Sequence, residues 1–150
     1  TRARLMLEVV DAAIGVWGPG RVGLHLAPRG DSHGIGDSNP RETFGYVARE
    51  TGRRQIAFLC ARESLGENRI GPALKQDFGG SYIANEKFTL ETAEQVLAAG
   101  EADAVAFGKD FISNPDLVRR FSEGAALNPF HSETFYGGGA GGYIDYPTLN

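Results

Sequence analysis

Apolar positions in the first seventeen residues recur at steps of three and four. Leu5, Val9, Ala12, Ala13 and Val16 share one side, which predicts an amphipathic helix. Gly18 and Pro19 end it. Arg21–Leu26, RVGLHL, reads as a short strand, and the loop that follows contains Arg29-Gly30-Asp31, an adhesion-like tripeptide read here as plain loop. A second helix starts on a capping box, with Asn39 as cap, Pro40 first and Glu42 third, and runs to about Thr51 before ending at Gly52. Gln55–Cys60, QIAFLC, is apolar enough for a strand covered on both faces, as in parallel sheets. A short helix follows near Pro72–Phe78, then a strand at Ser81–Ala84. Thr89 caps a further helix, LETAEQVLAA, that closes at Gly100.

The fourth strand is AVAF, ending at Phe107. Gly108 follows, where the missing Cβ lets a ligand approach the backbone, and then Lys109 brings a positive charge. Asn114 as N-cap and Pro115 at the first helical position predict the start of a helix running to about Glu123. Free amides, a helix dipole and a lysine together suit a phosphate, although an ordinary strand-to-helix turn would carry the same cap and proline. A leading helix followed by four strand–helix units means a parallel α/β sheet. Both a small doubly wound sheet and half of an eight-stranded TIM-type barrel fit. The barrel half is the better match, because in such barrels phosphate sites lie in the loops after the last strands, here ANEKF and GKDF.

From Ala125 to the end the chain changes character, mixing five glycines between positions 137 and 142 with Phe130, Phe135, Tyr136, Tyr143 and Tyr146. Gly137, Gly139 and Gly142 satisfy a GxGxxG spacing, but no predicted strand precedes them, so the dinucleotide reading fails its own context. The segment 125–150 reads as an ordered loop with aromatic contacts, the tail of a single domain covering residues 1–150.

With 150 residues the chain can bury a substantial core. Its net charge of −4 argues against a general nucleic-acid or membrane-surface binder, so any anion must be held by a local site. One cysteine, Cys60, leaves no internal disulfide, and no apolar run is long enough to cross a bilayer. A reduced cytoplasmic setting is the default. His25, His33, His131 and Cys60 show no metal-ligand spacing, so no metal is expected.

The strings TRARLMLEVVDA, ANEKFT, ADAVAFGKDFISNPDLVRRF and TFYGGGAGGYIDYPTL closely resemble the second half of the Old Yellow Enzyme family, the FMN-dependent ene-reductases. The resemblance extends over essentially the whole chain. It implies strands five to eight of an eight-stranded barrel, a C-terminal half that needs a complementary N-terminal half-barrel, either a separate chain or a missing segment. It also implies FMN as cofactor and NADPH as reductant, with hydride passing by way of the flavin to the β-carbon of an activated alkene such as an enone, nitroalkene or maleimide.

The resemblance places the flavin phosphate at two loops: Asn85, Glu86 and Lys87 after the third strand, with family members usually carrying Gly at the position of Glu86, and Gly108 and Lys109 after the fourth. A carboxylate at Glu86 is tolerable only if it points away from the phosphate. His25 stands where the family pattern has an Arg at the pyrimidine edge of the flavin. Because a His is only partly charged near neutrality, this implies weaker flavin binding or a lower reduction potential, unless His25 is simply a packing residue. Tyr136 matches a tyrosine near the substrate. The family's carbonyl-binding pair and proton donor fall outside this stretch, so no catalytic residue is expected in it. A non-catalytic half-barrel that binds FMN or another phosphate ligand, with a homodimer of half-barrels as one form, is the competing reading.

Overall fold

The computed structural model describes residues 2–29 and 36–150. Gly30 and Asp31 of the RGD tripeptide, and His33, lie outside the described residues. The chain forms two compact units, Thr1–Ala106 and Phe107–Asn150.

In the first unit the elements run α1 (Arg4–Trp17), a 3-10 turn at Pro19–Arg21, β1 (Gly23–Leu26), α2 (Pro40–Arg53), β2 (Phe58–Arg62), α3 (Gly71–Phe78), β3 (Tyr82–Asn85), α4 (Leu90–Ala98) and β4 (Ala104–Ala106). The four strands pair in parallel in chain order, β1-β2-β3-β4. His25 lies opposite Cys60, Arg62 opposite Asn85, and Asn85 opposite Ala106. Strand side chains alternate between faces. Leu26, Leu59, Ala61 and Tyr82 are buried on one face, where Ala61, Tyr82 and Ala84 line a small cavity together with Pro72 of α3 and Val96 of α4. His25, Phe58 and Ala104 on the other face are exposed.

Most helix starts follow the predicted chemistry. The Asn39 side chain accepts from the Glu42 amide at 3.3 Å and donates to the Glu42 carboxylate at 2.9 Å, while the Asn39 amide donates to Asp37. Thr89 and Thr92 form a reciprocal capping box at α4. The helix expected to end at Gly52 continues to Arg53, because Gly52 serves packing: a Cβ there would run into the backbone carbonyl of Phe78 at the end of α3. The second strand begins at Phe58 rather than Gln55. Gln55 takes a left-handed φ of 55°, so the buried Ile56 enters the core ahead of the ladder.

The face expected to bury α1 is corrected. Leu5, Val9 and Val16 are 73%, 61% and 73% exposed, whereas Leu7 and Val10 turn inward. Apolar residues occupy two sides of this helix, so periodicity found the helix but not its buried side.

Charged pairs tie the layers together. Asp77 of α3 takes hydrogen bonds from Arg41 (2.5 Å) and Arg49 (3.0 Å) of α2. Burial alone pushes the Asp77 carboxyl up, but the two arginines outweigh it and hold it below its ordinary value of 3.8. Asp103, just before β4, accepts from Lys75 Nζ at 2.8 Å and from the Tyr82 amide at 2.8 Å, and these two bonds hold it low as well. The buried Glu63 accepts from the Ile70 and Gly71 amides, satisfying the start of α3.

Two outcomes are expected. Leu59→Ala, at a site with no exposure, costs about 2–5 kcal/mol in urea unfolding of this chain, whereas Leu5→Ala stays within about 0.5 kcal/mol. Because Asp77 and Asp103 have folded-state pKa values below those of the unfolded chain, their contribution is fully present above the ordinary carboxyl value. It is lost as pH falls through the depressed values. The urea midpoint should therefore hold from neutrality to about pH 5 and drop by about pH 3, less steeply in Asp103→Asn.

Candidate flavin-phosphate loops and the C-terminal unit

Polar side chains gather at the carboxyl ends of β1, β2 and β3. Arg62 closes β2, and His25, one residue short of the end of its paired stretch, shares its sheet face. Asn85 closes β3 and its amide donates to the Ala106 carbonyl at 2.8 Å, so that side-chain donor is committed to the sheet. The chain then turns sharply: Glu86 has φ 107° and Lys87 has φ 57°. Both lie in the left-handed region where an L side chain is strained, costing of order 1–3 kcal/mol each, and a Glu at φ 107° occupies backbone better suited to glycine. The Glu86 carboxylate does not stand free. Arg62 Nε donates to it at 2.5 Å and Arg62 Nη2 at 3.4 Å.

In the second unit, α5 (Lys109–Ser113) follows Gly108 directly, and α6 (Leu117–Glu123) comes after a break. The expected helix start at Asn114 and Pro115 is therefore corrected. Gly108 takes the N-cap position of a five-residue helix, and Asn114 is the C-cap of that helix. Asn114 is fully buried because its side chain has three partners: the amide donates to Asp110 O and Ser113 Oγ, each at 2.9 Å, and Oδ1 accepts from the Asn128 amide at 2.7 Å. At Gly108 φ is −100°, which any residue adopts, and open space lies where a Cβ would sit. Lys109 is exposed, its ammonium 4.4 Å from the centre of the Phe130 ring.

The glycine-rich tail is ordered by polar anchors as much as by aromatics. Arg120, 5% exposed, donates to Asp116 at 2.8 Å, to Ala126 O at 2.6 Å and to Pro147 O at 3.0 Å. The Leu149 amide donates to Asp116 at 2.7 Å, and this bond, followed by the one from Arg120, holds the Asp116 carboxyl low. Phe130 packs on Phe135, and His131 stacks on Tyr146. Tyr136 is 98% exposed. Gly137–Gly142 follow a 3-10 turn at Ser132–Thr134, with no strand before them.

Sequence reasoning did not single out Arg62 or Arg120, and it read Asn114 as an N-cap rather than as the buried C-cap it is. Arg62 had a signal, since a charged residue that closes an apolar strand falls at the carboxyl edge of the sheet. For Asn114 and Arg120 the signal is weaker, because each also bonds to a distant residue, Asn128 at 14 positions and Pro147 at 27.

Four parallel strand–helix units with polar loops at the carboxyl ends of the strands define a β/α protein of the class that binds ligands at that edge. The family model for NADH:flavin oxidoreductase / NADH oxidase matches residues 1–128, and the chain belongs to that family. It is 35% identical to 12-oxophytodienoate reductase 2 of Arabidopsis thaliana, over 99% of this chain and 42% of that protein. A probable flavin mononucleotide-dependent alkene reductase of Leishmania infantum is also 35% identical, over 99% of this chain and 41% of its own length. The structure of morphinone reductase in complex with tetrahydroNAD superposes with a TM-score of 0.92 at 44% identity, covering 99% of this chain and 41% of that one. The old yellow enzyme homologue from Zymomonas mobilis gives 0.93 at 36%, covering 99% and 44%. The chain thus spans about two fifths of the length of these relatives.

Replacing Arg120 by Met leaves the Ala126 and Pro147 carbonyls and the Asp116 carboxylate without their buried cation, a loss of about 3–5 kcal/mol. Limited proteolysis followed by mass spectrometry should then find cleavage between 125 and 150 well before the rest of the chain is cut.

Proposed function

We propose that the chain is strands five to eight of an eight-stranded β/α barrel, the C-terminal half of an FMN-dependent ene-reductase that reduces activated C=C bonds with NADPH. The observation that carries this reading is the sheet itself. Among the described residues β1 and β4 each pair on one side only, in a chain about two fifths as long as the relatives it matches. An unpaired strand edge invites pairing with another segment. The uncovered apolar residues Leu5, Val9 and Val16 of α1 add surface for the same complementary half-barrel.

The residues present fit a flavin phosphate. Lys109 supplies a cation beside the open space at Gly108, and in the loop after β3 the Glu86 carboxylate is already paired with Arg62. In this reading Asn85–Lys87 form a phosphate-binding turn of the first unit, where His25 is the flavin contact; Gly108 and Lys109 form a phosphate-binding turn of the second unit, where Tyr136 is the substrate contact. When bound, FMN supplies the hydride chemistry between nicotinamide and alkene. This chain holds and orients it, while the groups that bind the substrate carbonyl and donate the proton come from the complementary half. Enones, nitroalkenes and maleimides are the substrate classes. A cytoplasmic setting suits the single free thiol of Cys60, buried and with its pKa raised by burial.

The test is an FMN titration by quenching of flavin fluorescence, on this chain alone and with the N-terminal half of a related family member added. Binding that appears or tightens with the added half, together with NADPH-dependent loss of an enone, is expected. Lys109→Ala should weaken FMN by about tenfold and leave riboflavin, which lacks the phosphate, nearly unchanged. Equal FMN binding with and without the added half and no turnover would favour a non-catalytic binding module.

A further inference from the structure

We infer that Arg62 is a positioning residue for the loop after β3, neutralising the Glu86 carboxylate so that this loop can accept a phosphate. The inference rests on the flavin reading above and adds to it a residue outside both phosphate loops. Three observations converge. Glu86 holds a backbone φ of 107°, so the loop keeps a turn that glycine would adopt freely despite carrying a charged side chain. That side chain is 16% exposed, so its charge is not left to water. Arg62, on the neighbouring strand and directly opposite Asn85 in the register, reaches it with Nε and Nη2.

The electrostatics follow from this arrangement. A bare carboxylate one residue from the amides of a phosphate-binding turn repels a phosphate dianion, and low exposure weakens the screening of that repulsion. A guanidinium bound side-on to the carboxylate cancels most of the charge and also fixes the direction of the side chain. The pair therefore acts as a unit: each member is tolerable in the presence of the other. Removing only the arginine should be worse for phosphate binding than removing both.

The experiment compares FMN with riboflavin on the preparation that binds FMN in the titration above, using Arg62→Gln, Glu86→Gln and the double variant. Arg62→Gln is expected to weaken FMN at least about tenfold while changing riboflavin little, because only FMN carries the phosphate. Glu86→Gln in the Arg62→Gln background is expected to restore most of the lost FMN affinity, and raised salt should narrow the gap between Arg62→Gln and the unsubstituted protein. A merely structural role for Arg62 would instead weaken FMN and riboflavin together, with no rescue by the double variant, and that result overturns the inference while leaving the flavin reading in place. Unchanged FMN affinity in Arg62→Gln overturns it equally. Failure of the unsubstituted protein to bind FMN under any condition overturns the flavin reading, and this inference with it.

Discussion

Parallel pairing of four consecutive strands is the constraint on which the first unit depends. Parallel neighbours cannot be joined by a tight turn, so each step from β1 to β4 needs a crossover, and each crossover here contains a helix: α3 and α4 pack on the strands, and α2 packs on α3. The strands are short, three to five residues. Their ladders alone leave little margin, and the side-chain bonds at their ends matter accordingly. Asp103 joins the start of β3 to the approach of β4 through the Tyr82 amide, and Asn85 joins the end of β3 to the end of β4 through the Ala106 carbonyl. The register is pinned at both ends of the strands by polar groups that one side-chain face alone could not supply.

The same constraint places the chemistry. In a parallel sheet all strands end on one edge, so Arg62, Asn85 and Glu86 are brought to a common rim although 24 residues separate Arg62 from Glu86. Helices are spent on one face, leaving His25 and Phe58 on the other with nothing from α3 or α4 over them. The second unit is organised differently. Its backbone has little regular structure beyond α5 and α6, and its order comes from buried side chains that bond to carbonyls far along the chain. Arg120 is the clearest case, with one guanidinium serving Asp116, Ala126 and Pro147. Removing a single apolar contact would be a local loss there, whereas removing this cation takes a donor from three acceptors together.

How much of this was legible in the sequence follows the range of the interactions involved. The helix starts at Asn39 and Thr89 are decided within three residues, and the sequence reading located both. The order of strands and helices is decided by hydrophobic pattern within one element, and it too was readable. The buried side of α1 was not, because Leu7 and Val10 compete with Leu5 and Val9 on the same helix and only tertiary packing decides between them. Asn114 followed by Pro115 has the appearance of a helix start, yet the buried amide of Asn114 is claimed by Asp110, Ser113 and Asn128. The bond from Asn128, 14 residues on, is the part of that arrangement that local propensity does not announce. Gly52 shows the same logic in reverse: it was read as a stop signal, but its lack of a side chain is used for the close approach of Phe78.

Glu86 joins the local and long-range kinds of evidence. Read alone, the residue is unfavourable twice over, since its backbone conformation suits glycine and its charge opposes an anion in the loop that carries it. Strain of this kind persists only where surrounding structure over-determines it. Here that structure is identifiable: Asn85 is fixed to β4 on one side, Phe88 is buried on the other, and the carboxylate is clamped by Arg62 between them. The loop's shape is therefore set by its anchors rather than by the residue at its apex. A carboxylate at that apex has its charge met by a cation from the adjacent strand, and Arg62 stands at the strand position from which it can do so.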